Sequence, residues 1–301
     1  MIKIEHFLKD FSLNDNTREM LNDIWKQIDL YIHRLEEYPK EAQKVFLKDY
    51  LIKENINSSN LECELYSDEV LKLYDKKFFV EKYLDKDRVQ QINKTVRKRD
   101  EILNFEKFET IRKEKNKDIT YEEYVQNEKR NLDGNYRNEI VWIGGKEGME
   151  YAFHIPPKPE EIEEYMQDFF DFFNTSHYGY LQDPIVKAAL LHVIFIKIHP
   201  FANGNGRTAR ILLNYYLSCS IRKMYNLDSK YTLLNLSKSF DLTRTTYFEK
   251  QNNIIFKEGV DNSEAINSWI KYNIIAIEEQ LYYLNNRLNY YDEFLKSGKI
   301  K

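Results

Sequence analysis

The residues best placed to do chemistry lie in one stretch, His199-Pro-Phe-Ala-Asn-Gly-Asn-Gly-Arg-Thr-Ala-Arg210. Asn203, Gly204, Asn205 and Gly206 alternate an amide with a residue that has no side chain. The apolar run Ile211 to Leu217 follows and reads as a buried helix. A tight loop opening into a helix presents backbone N–H groups to an anion. Arg207 and Arg210 are three apart on the first turns, so both are expected to face the same ligand. A histidine beside a phosphate cradle suggests phosphate-ester chemistry with a general base.

Other chemistries fit less well. A metal site needs further ligands at close spacing to His199, and none is apparent. A Walker loop needs Gly-Lys-Ser/Thr at its end, which is absent. A structural turn with a satisfied histidine would account for a lone His or a lone Gly-x-Gly. It does not account for the whole ordered stretch.

Helices must position this loop. Asp183-Pro184 begins a helix running to about Ile198, apolar nearly all round and therefore expected at the centre. A second helix follows the loop, from about Gly206 to Ser220. Upstream, Met20, Leu21, Ile24, Ile28, Tyr31 and Leu35 mark an amphipathic helix over 16–38, with Asn16 as N-cap and Pro39 as its end. A helix from Lys40 to Lys53 comes next, then a polar, cap-rich break over 54–60. Leu61 opens a new segment, capped by Ser58 or Ser59. Residues 68–115 read as two or three helices, and their basic run Lys94 to Arg99 as a solvated face balanced by nearby acids. The one convincing strand signal lies within 132–157, where Ile140 to Ile143 and Tyr151 to Ile155 flank a glycine turn as a hairpin. Pro159 starts another helix, with Met166, Phe169, Phe170 and Phe173 on its apolar face. Several more fill 230–296, including a long one through Trp269, Ile270 and Leu281.

Composition agrees with an all-α chain. Hydrophobic residues make up 42% of the 301, enough for a sizeable core, and 9 glycines and 6 prolines are too few for a turn-rich β sandwich. The net charge of -4 does not call for nucleic acid or an acidic membrane as partner. Cys63 and Cys219 form neither a metal motif nor a disulfide framework, so a reduced cytoplasmic setting is expected. The N-terminus lacks the apolar core of a signal peptide, and the apolar run Ala188 to Ile196 is too short to span a bilayer.

The opening stretch resembles the signature of the Fic family, His-Pro-Phe-x-(Asp/Glu)-Gly-Asn-Gly-Arg-x-x-Arg, and departs from it only at Asn203. Gly134-x-Tyr-Arg137 with Val141-x-Ile143-Gly-Gly is similar to the family's approach to its flap. Pro156-Pro-x-Pro159 and His192-x-x-Phe195 are also in keeping with it. The resemblance covers roughly 130–275. It implies a multi-helix Fic-type fold with a small β-hairpin flap over the active site. Residues 1–115 would form an N-terminal helical region, 116–275 the catalytic core and 276–301 a C-terminal helix and tail, in one compact unit.

The activity implied is transfer of AMP from ATP to a Ser, Thr or Tyr hydroxyl of a target protein and of the chain itself. By resemblance His199 is the base, Gly204, Asn205 and Gly206 line the anion hole, Arg207 takes the β-phosphate and Arg210 the γ-phosphate. Tyr247 and Phe248 fall where the family often has an aromatic pair near the adenine, with core packing as the equal alternative. Val141, Trp142 and Ile143 would dock the target by strand addition. The family's acid helps hold Mg²⁺ or Mn²⁺ on the phosphates, and Asn203 brings no charge, so weak metal binding through the phosphates is expected. Ser58-Ser-Asn-Leu-Glu62 resembles the family's inhibitory motif (Ser/Thr)-x-x-x-Glu-(Gly/Asn), with Cys63 departing from the last position. Glu62 would then pair with Arg210 and occupy the γ-phosphate site, on a helix near 58–70.

Related readings stay open: UMP or phosphocholine transfer, removal of AMP, or a weakly active nucleotide-binding regulatory module. A transcription regulator ranks last. The composition, rich in Lys, Asn and Ile, suits bacterial coding, and self-association as a homodimer is in keeping with such helical surfaces. The target protein is not named by the sequence.

Overall fold

Pro184 presets the first turn of the helix on which the other elements are laid. Asp183 caps that helix, its Oδ1 accepting from the amides of Ile185 (2.9 Å) and Val186 (3.1 Å). The same carboxylate takes the indole N–H of Trp25 on Oδ2 at 2.7 Å, which ties the cap to an N-terminal helix. The computed structural model describes residues 3–61, 73, 82–97, 108, 120, 123, 133–144, 148–175, 181, 183–227, 234 and 236–296.

In chain order the helices are α1 (Ile4–Phe7), α2 (Asp15–Glu36), α3 (Lys40–Leu61), α4 (Lys86–Val96), α5 (Ile162–Asn174), α6 (Pro184–Ile198), α7 (Asn205–Tyr225), α8 (Ser237–Leu242), α9 (Arg244–Asn252) and α10 (Ser263–Lys296). The fold is all-α. Helix α6 is the centre: α7, α5 and α10 all pack on it. Helix α2 lies on α10, α4 lies on α7, and α3 bridges α8 and α7. The centre reads directly from the sequence, because only a helix apolar on every face can be surrounded. Trp269 of α10 is fully buried and donates its indole N–H to the Ala189 carbonyl at 2.8 Å. Helix α10 runs unbroken through 275–276, where the sequence reading put a boundary.

Three expectations are corrected. Helix α2 is capped by Asn14, not Asn16: Asn14 Oδ1 accepts from the Thr17 amide at 2.9 Å and from its hydroxyl at 2.7 Å. Thr17 is fully buried, so its hydroxyl needs a partner inside, and Asn14 supplies it. The break expected over 54–60 is helix. Asn and Ser favour breaks because their side chains bond the nearby backbone. Here Glu54, Ser58 and Ser59 are buried, and the polar groups of Glu54 and Ser58 bond other helices instead. The expected hairpin is, among the described residues, a single antiparallel bridge between Ile143 and His154. The Ile143 amide donates to the His154 carbonyl (2.9 Å) and the Phe153 amide to the Ile143 carbonyl (2.8 Å). Pro156 and Pro157 follow at once and lack the donors that a longer ladder needs. The segment near 58–70 expected as an inhibitory helix is covered by α3 up to Leu61; Glu62 and Cys63 lie outside the described residues.

Candidate active site

Helix α6 ends at His199, whose backbone is left-handed (φ 50°, ψ 57°). That conformation costs a non-glycine residue energy and persists only where neighbours fix it. Arg137 fixes it. Its Nε donates to the His199 carbonyl at 2.8 Å and its amide to the Pro200 carbonyl at 2.9 Å. The same guanidinium donates to the carbonyls of Glu139 and Pro157. One arginine thus joins the signature loop to both arms around the Ile143 bridge. The sequence singled out Arg137 by resemblance but gave it no task. The His199 ring sets Nδ1 3.2 Å from the Ile196 carbonyl. A carbonyl only accepts, so Nδ1 carries the proton and Nε2 is the basic nitrogen.

Asn205 shapes the loop from inside. Its Oδ1 accepts from the Phe201 amide (3.0 Å) and its Nδ2 donates to the Phe201 carbonyl (2.7 Å). Its side chain therefore holds the turn; what it can offer an anion is its backbone. Gly204 is the N-cap of α7 at φ 77°, and no side chain caps the helix. A Cβ at Gly204 would stand 3.0 Å from Asn93 Nδ2 and 3.1 Å from Arg97 Cγ. Both the backbone angle and the close approach of α4 therefore call for glycine. Asn93 holds that approach by donating to the Asn203 carbonyl at 3.0 Å. The first-turn amides of α7, with the helix dipole behind them, are the groups to which the sequence reading assigns an anion.

The two arginines were expected to face one ligand. In the structure they point to different partners. Both are buried. Arg207 donates to the Val96 carbonyl at the end of α4, at 2.7 Å. Arg210 turns to α3: Nε donates to Ser58 Oγ at 2.9 Å and an Nη to the Ser58 carbonyl at 2.7 Å. Its other Nη donates to Tyr247 Oη at 3.1 Å, and Tyr247 in turn lies 3.0 Å from His192 Nε2. Burial pushes the His192 imidazole well below its usual range, with the Arg210 charge acting the same way. His192 is then neutral and its Nε2 accepts the Tyr247 proton. Tyr247 is 1% exposed, its ring stacked on Phe240 at 4.8 Å, so it is core. Phe248 lies beside it at 5.1 Å and is half-buried.

Ser58 therefore meets Arg210, while its predicted companion Glu62 lies outside the described residues. An acid of α3 that the sequence reading missed stands one turn before Ser58. Glu54 is buried and accepts from Asn214 Nδ2 (2.9 Å), the Ser237 amide (2.9 Å) and the Ser237 hydroxyl. Asn214 is one turn after Arg210. So the two helices meet in two rungs, Ser58 to Arg210 and Glu54 to Asn214. Burial raises the Glu54 pKa, opposed by the bonds from Ser237 and Asn214 and by the Arg210 charge. The one available signal was the i, i+4 spacing of Glu54 and Ser58.

Over the loop, His154 sets Nε2 2.7 Å from the Lys197 carbonyl. Burial lowers its pKa to about 4, so it is a neutral donor at neutral pH. Trp142 is exposed, Ile143 is half-buried and Val141 half-buried, all beside the bridge. The residues around Asn203 do not fit a metal centre built by the protein. The amide is neutral, and its Oδ1 is engaged by the Gly204 amide at 2.6 Å. Among the described residues no group of three or more His, Cys, Asp or Glu is placed to hold an ion. No helix among the described residues is long and apolar enough to cross a membrane.

The candidate site thus sets a histidine at the end of one buried helix and the first-turn amides of the next beside each other on an all-α scaffold. Residues 83–217 match the family described as Fic/DOC. The chain therefore carries a Fic/DOC-type domain over this stretch, just under half of its length. It is 36% identical over 107 residues to "Protein adenylyltransferase Fic" of Drosophila melanogaster, 33% of this chain and 20% of that protein. The protein of the same name from Drosophila willistoni is 39% identical over 84 residues, 28% of this chain and 15% of the relative. The chain thus matches a fifth or less of these relatives' length. Among solved structures, Fic-1 (aa134 - 508) from C. elegans aligns with a TM-score of 0.53 at 17% identity, over 91% of this chain and 73% of the other. A Fic family protein from Desulfovibrio desulfuricans G20 aligns at 0.55 and 15%, over 90% and 76%. These two likenesses concern the fold alone.

Proposed function

We propose that the protein transfers AMP from ATP to a Ser, Thr or Tyr hydroxyl of a target protein, and of itself, and that α3 holds this activity in check. The observation that carries the reading is the seating of Ser58 on Arg210 in α7, with His199, its Nδ1 turned to the Ile196 carbonyl, at the other end of the loop that opens this helix. The target hydroxyl oxygen attacks the α-phosphorus while His199 Nε2 takes its proton. The bond from the α-phosphorus to the bridging oxygen breaks, and pyrophosphate leaves. The first-turn amides of α7 stabilise the charge on the phosphate oxygens. Arg207 and Arg210 add charge-assisted bonds once they turn from Val96 and Ser58 to the nucleotide. Tyr247 keeps one side of Arg210 in place throughout, in a positioning role, and the half-buried Phe248 offers its ring to the nucleotide base. The segment Val141 to Ile143 receives the target chain. Residues 1–115 act as the regulatory region and 116–275 as the catalytic core. A divalent ion, Mg²⁺ or Mn²⁺, enters with the nucleotide rather than on a protein carboxylate.

The exchange of an acid for Asn203 favours a second reading, transfer of another group such as UMP or phosphocholine, or removal of AMP. Intact-mass measurement after incubation with ATP and a divalent metal separates the two. A gain of AMP by the Glu62→Gly form, lost in Glu62→Gly with His199→Ala, is expected. No gain with ATP but a gain from another donor refutes the AMP assignment. Equal labelling of wild type and Glu62→Gly at saturating ATP refutes the inhibitory role of the motif.

A further inference from the structure

Exposure alternates along both arms that meet at the Ile143 bridge. On the first arm Ile140, Trp142 and Gly144 are exposed, while Val141 and Ile143 are half-buried. On the second, Tyr151, Phe153 and Ile155 are exposed, while Ala152 and His154 are half-buried. A period of two is that of extended chain with one side covered and the other in water. His154 marks the covered side, its Nε2 resting on the Lys197 carbonyl at 2.7 Å. Gly144 shows that the two outward rows share one side. A Cβ at position 144 would stand 2.1 Å from Phe153 Cδ2, so the Phe153 ring fills the space that a side chain there would take. The ring lies across the first arm and is still 69% exposed. On an all-α protein whose other large apolar side chains are mostly buried, five bared together on one face mark a contact surface.

The face is tied to the signature loop. Arg137 donates to the carbonyls of Glu139 and Pro157, one beside each arm, and to that of His199. His154 bonds the carbonyl two residues before that histidine. Whatever rests on the face therefore sits at a fixed place relative to His199. Size narrows the occupant. Five side chains exposed by between 45% and 69% fall short of the about 800 Å² that each partner gives to a stable protein interface. They suit one extended segment, which projects every second side chain to the same side. We propose that this outer face, centred on the Phe153 ring over Gly144, is a side-chain docking surface for the target protein and selects an extended segment with apolar side chains along one side. The reading of the occupant as the target rests on the proposed function; the preference for apolar segments does not.

The test uses the full chain and the fluorescence anisotropy of labelled peptides in which threonine alternates with valine or with serine. The valine peptide is expected to bind saturably, and the serine peptide about tenfold more weakly. Phe153→Ala and Ile155→Ser each weaken the valine peptide about fivefold or more. Leu242→Ala, which alters an exposed apolar residue at the end of α8, leaves it unchanged. All three positions are exposed, so the variants keep the fold, which circular dichroism checks. Equal affinity for the two peptides overturns the proposal. So does the absence of saturable binding of the valine peptide into the millimolar range, or binding that Phe153→Ala and Ile155→Ser leave unchanged. A dimer in sedimentation, or binding to phosphatidylcholine vesicles, that is lost in Phe153→Ala gives the face to a second copy or to lipid and overturns it as well. Binding is read without nucleotide, and His199→Ala is expected to leave it unmoved, so failure of AMP transfer and failure of this surface are distinguishable.

Discussion

Replacing Glu54 by alanine tests whether α3 is pinned where the structure pins it. The side chain accepts from three donors, Asn214 Nδ2, the Ser237 amide and the Ser237 hydroxyl. The hydroxyl can turn elsewhere, but two N–H donors lose their acceptor in a buried place. Each stranded donor costs about 1–3 kcal/mol, so the raw loss is about 2–6 kcal/mol. Two effects reduce it. The carboxylate is no longer held away from water, a cost that its raised pKa records. A cavity lined in part by Glu54 also admits water to the vacated space. A net loss of about 2–3 kcal/mol follows. Glu54→Gln keeps one oxygen for Asn214 and the hydroxyl, but its NH₂ faces the Ser237 amide, so about 1 kcal/mol is lost. The assay is native-state hydrogen exchange of residues 54–61. At about 1.4 kcal/mol per factor of ten, Glu54→Ala speeds exchange roughly 30- to 140-fold and Glu54→Gln about fivefold. Under the proposed function the same ordering appears in initial AMP incorporation. Unchanged protection in Glu54→Ala, or Glu54→Gln more exposed than Glu54→Ala, refutes the argument.

Two further predictions bear on the loop and the bridge. Asn203→Asp puts a carboxylate beside the phosphate cradle, where the signature has an acid; it is expected to lower the divalent-ion concentration at half-maximal rate by about tenfold, read by metal titration at fixed ATP. An unchanged titration refutes the metal argument at this position. His154 has a folded pKa of about 4 against 6.5 unfolded, so the unfolded chain binds the extra proton between these values. Its contribution is whole above pH 6.5 and is lost as pH falls towards 4, to about 3 kcal/mol at most. His154→Gln, which keeps an N–H donor for the Lys197 carbonyl, should flatten the fall in melting temperature across that window. An identical fall in both forms refutes the assignment.

What the sequence disclosed follows from which interactions are local. Helix α6 was legible because its burial is written in every position. The tight loop opening into α7 was legible from its glycine–asparagine alternation, and Gly204 meets both demands that favour glycine. Arg137 was not legible. Its partners are four backbone carbonyl groups and a loop far along the chain, and any sequence supplies carbonyls. Helix α3 was misread over 54–60 for a related reason. Propensity treats Asn and Ser as breakers because it prices them against water and their own backbone. Ser58 and Glu54 are instead priced against Arg210, Asn214 and Ser237, which no local rule contains.

That misreading bears on how the helix could act. A turn rich in Glu, Asn and Ser gains little from its own propensity, so its helical state depends on what it is docked against. Helix α3 and the guanidinium of Arg210 each supply partners that the other needs. If Arg210 turns to a phosphate, Ser58 loses its donors, and the turn from Glu54 to Leu61 loses part of what keeps it helical. If the turn loosens, Arg210 keeps Tyr247, backed by His192. The arrangement is therefore asymmetric. Removing the helix leaves the arginine held by Tyr247, whereas removing the arginine leaves a weak helical turn that Glu54 and the buried Leu61 must hold. Under the proposed function, that asymmetry suits a reversible gate, with Glu54 among the contacts that set its balance.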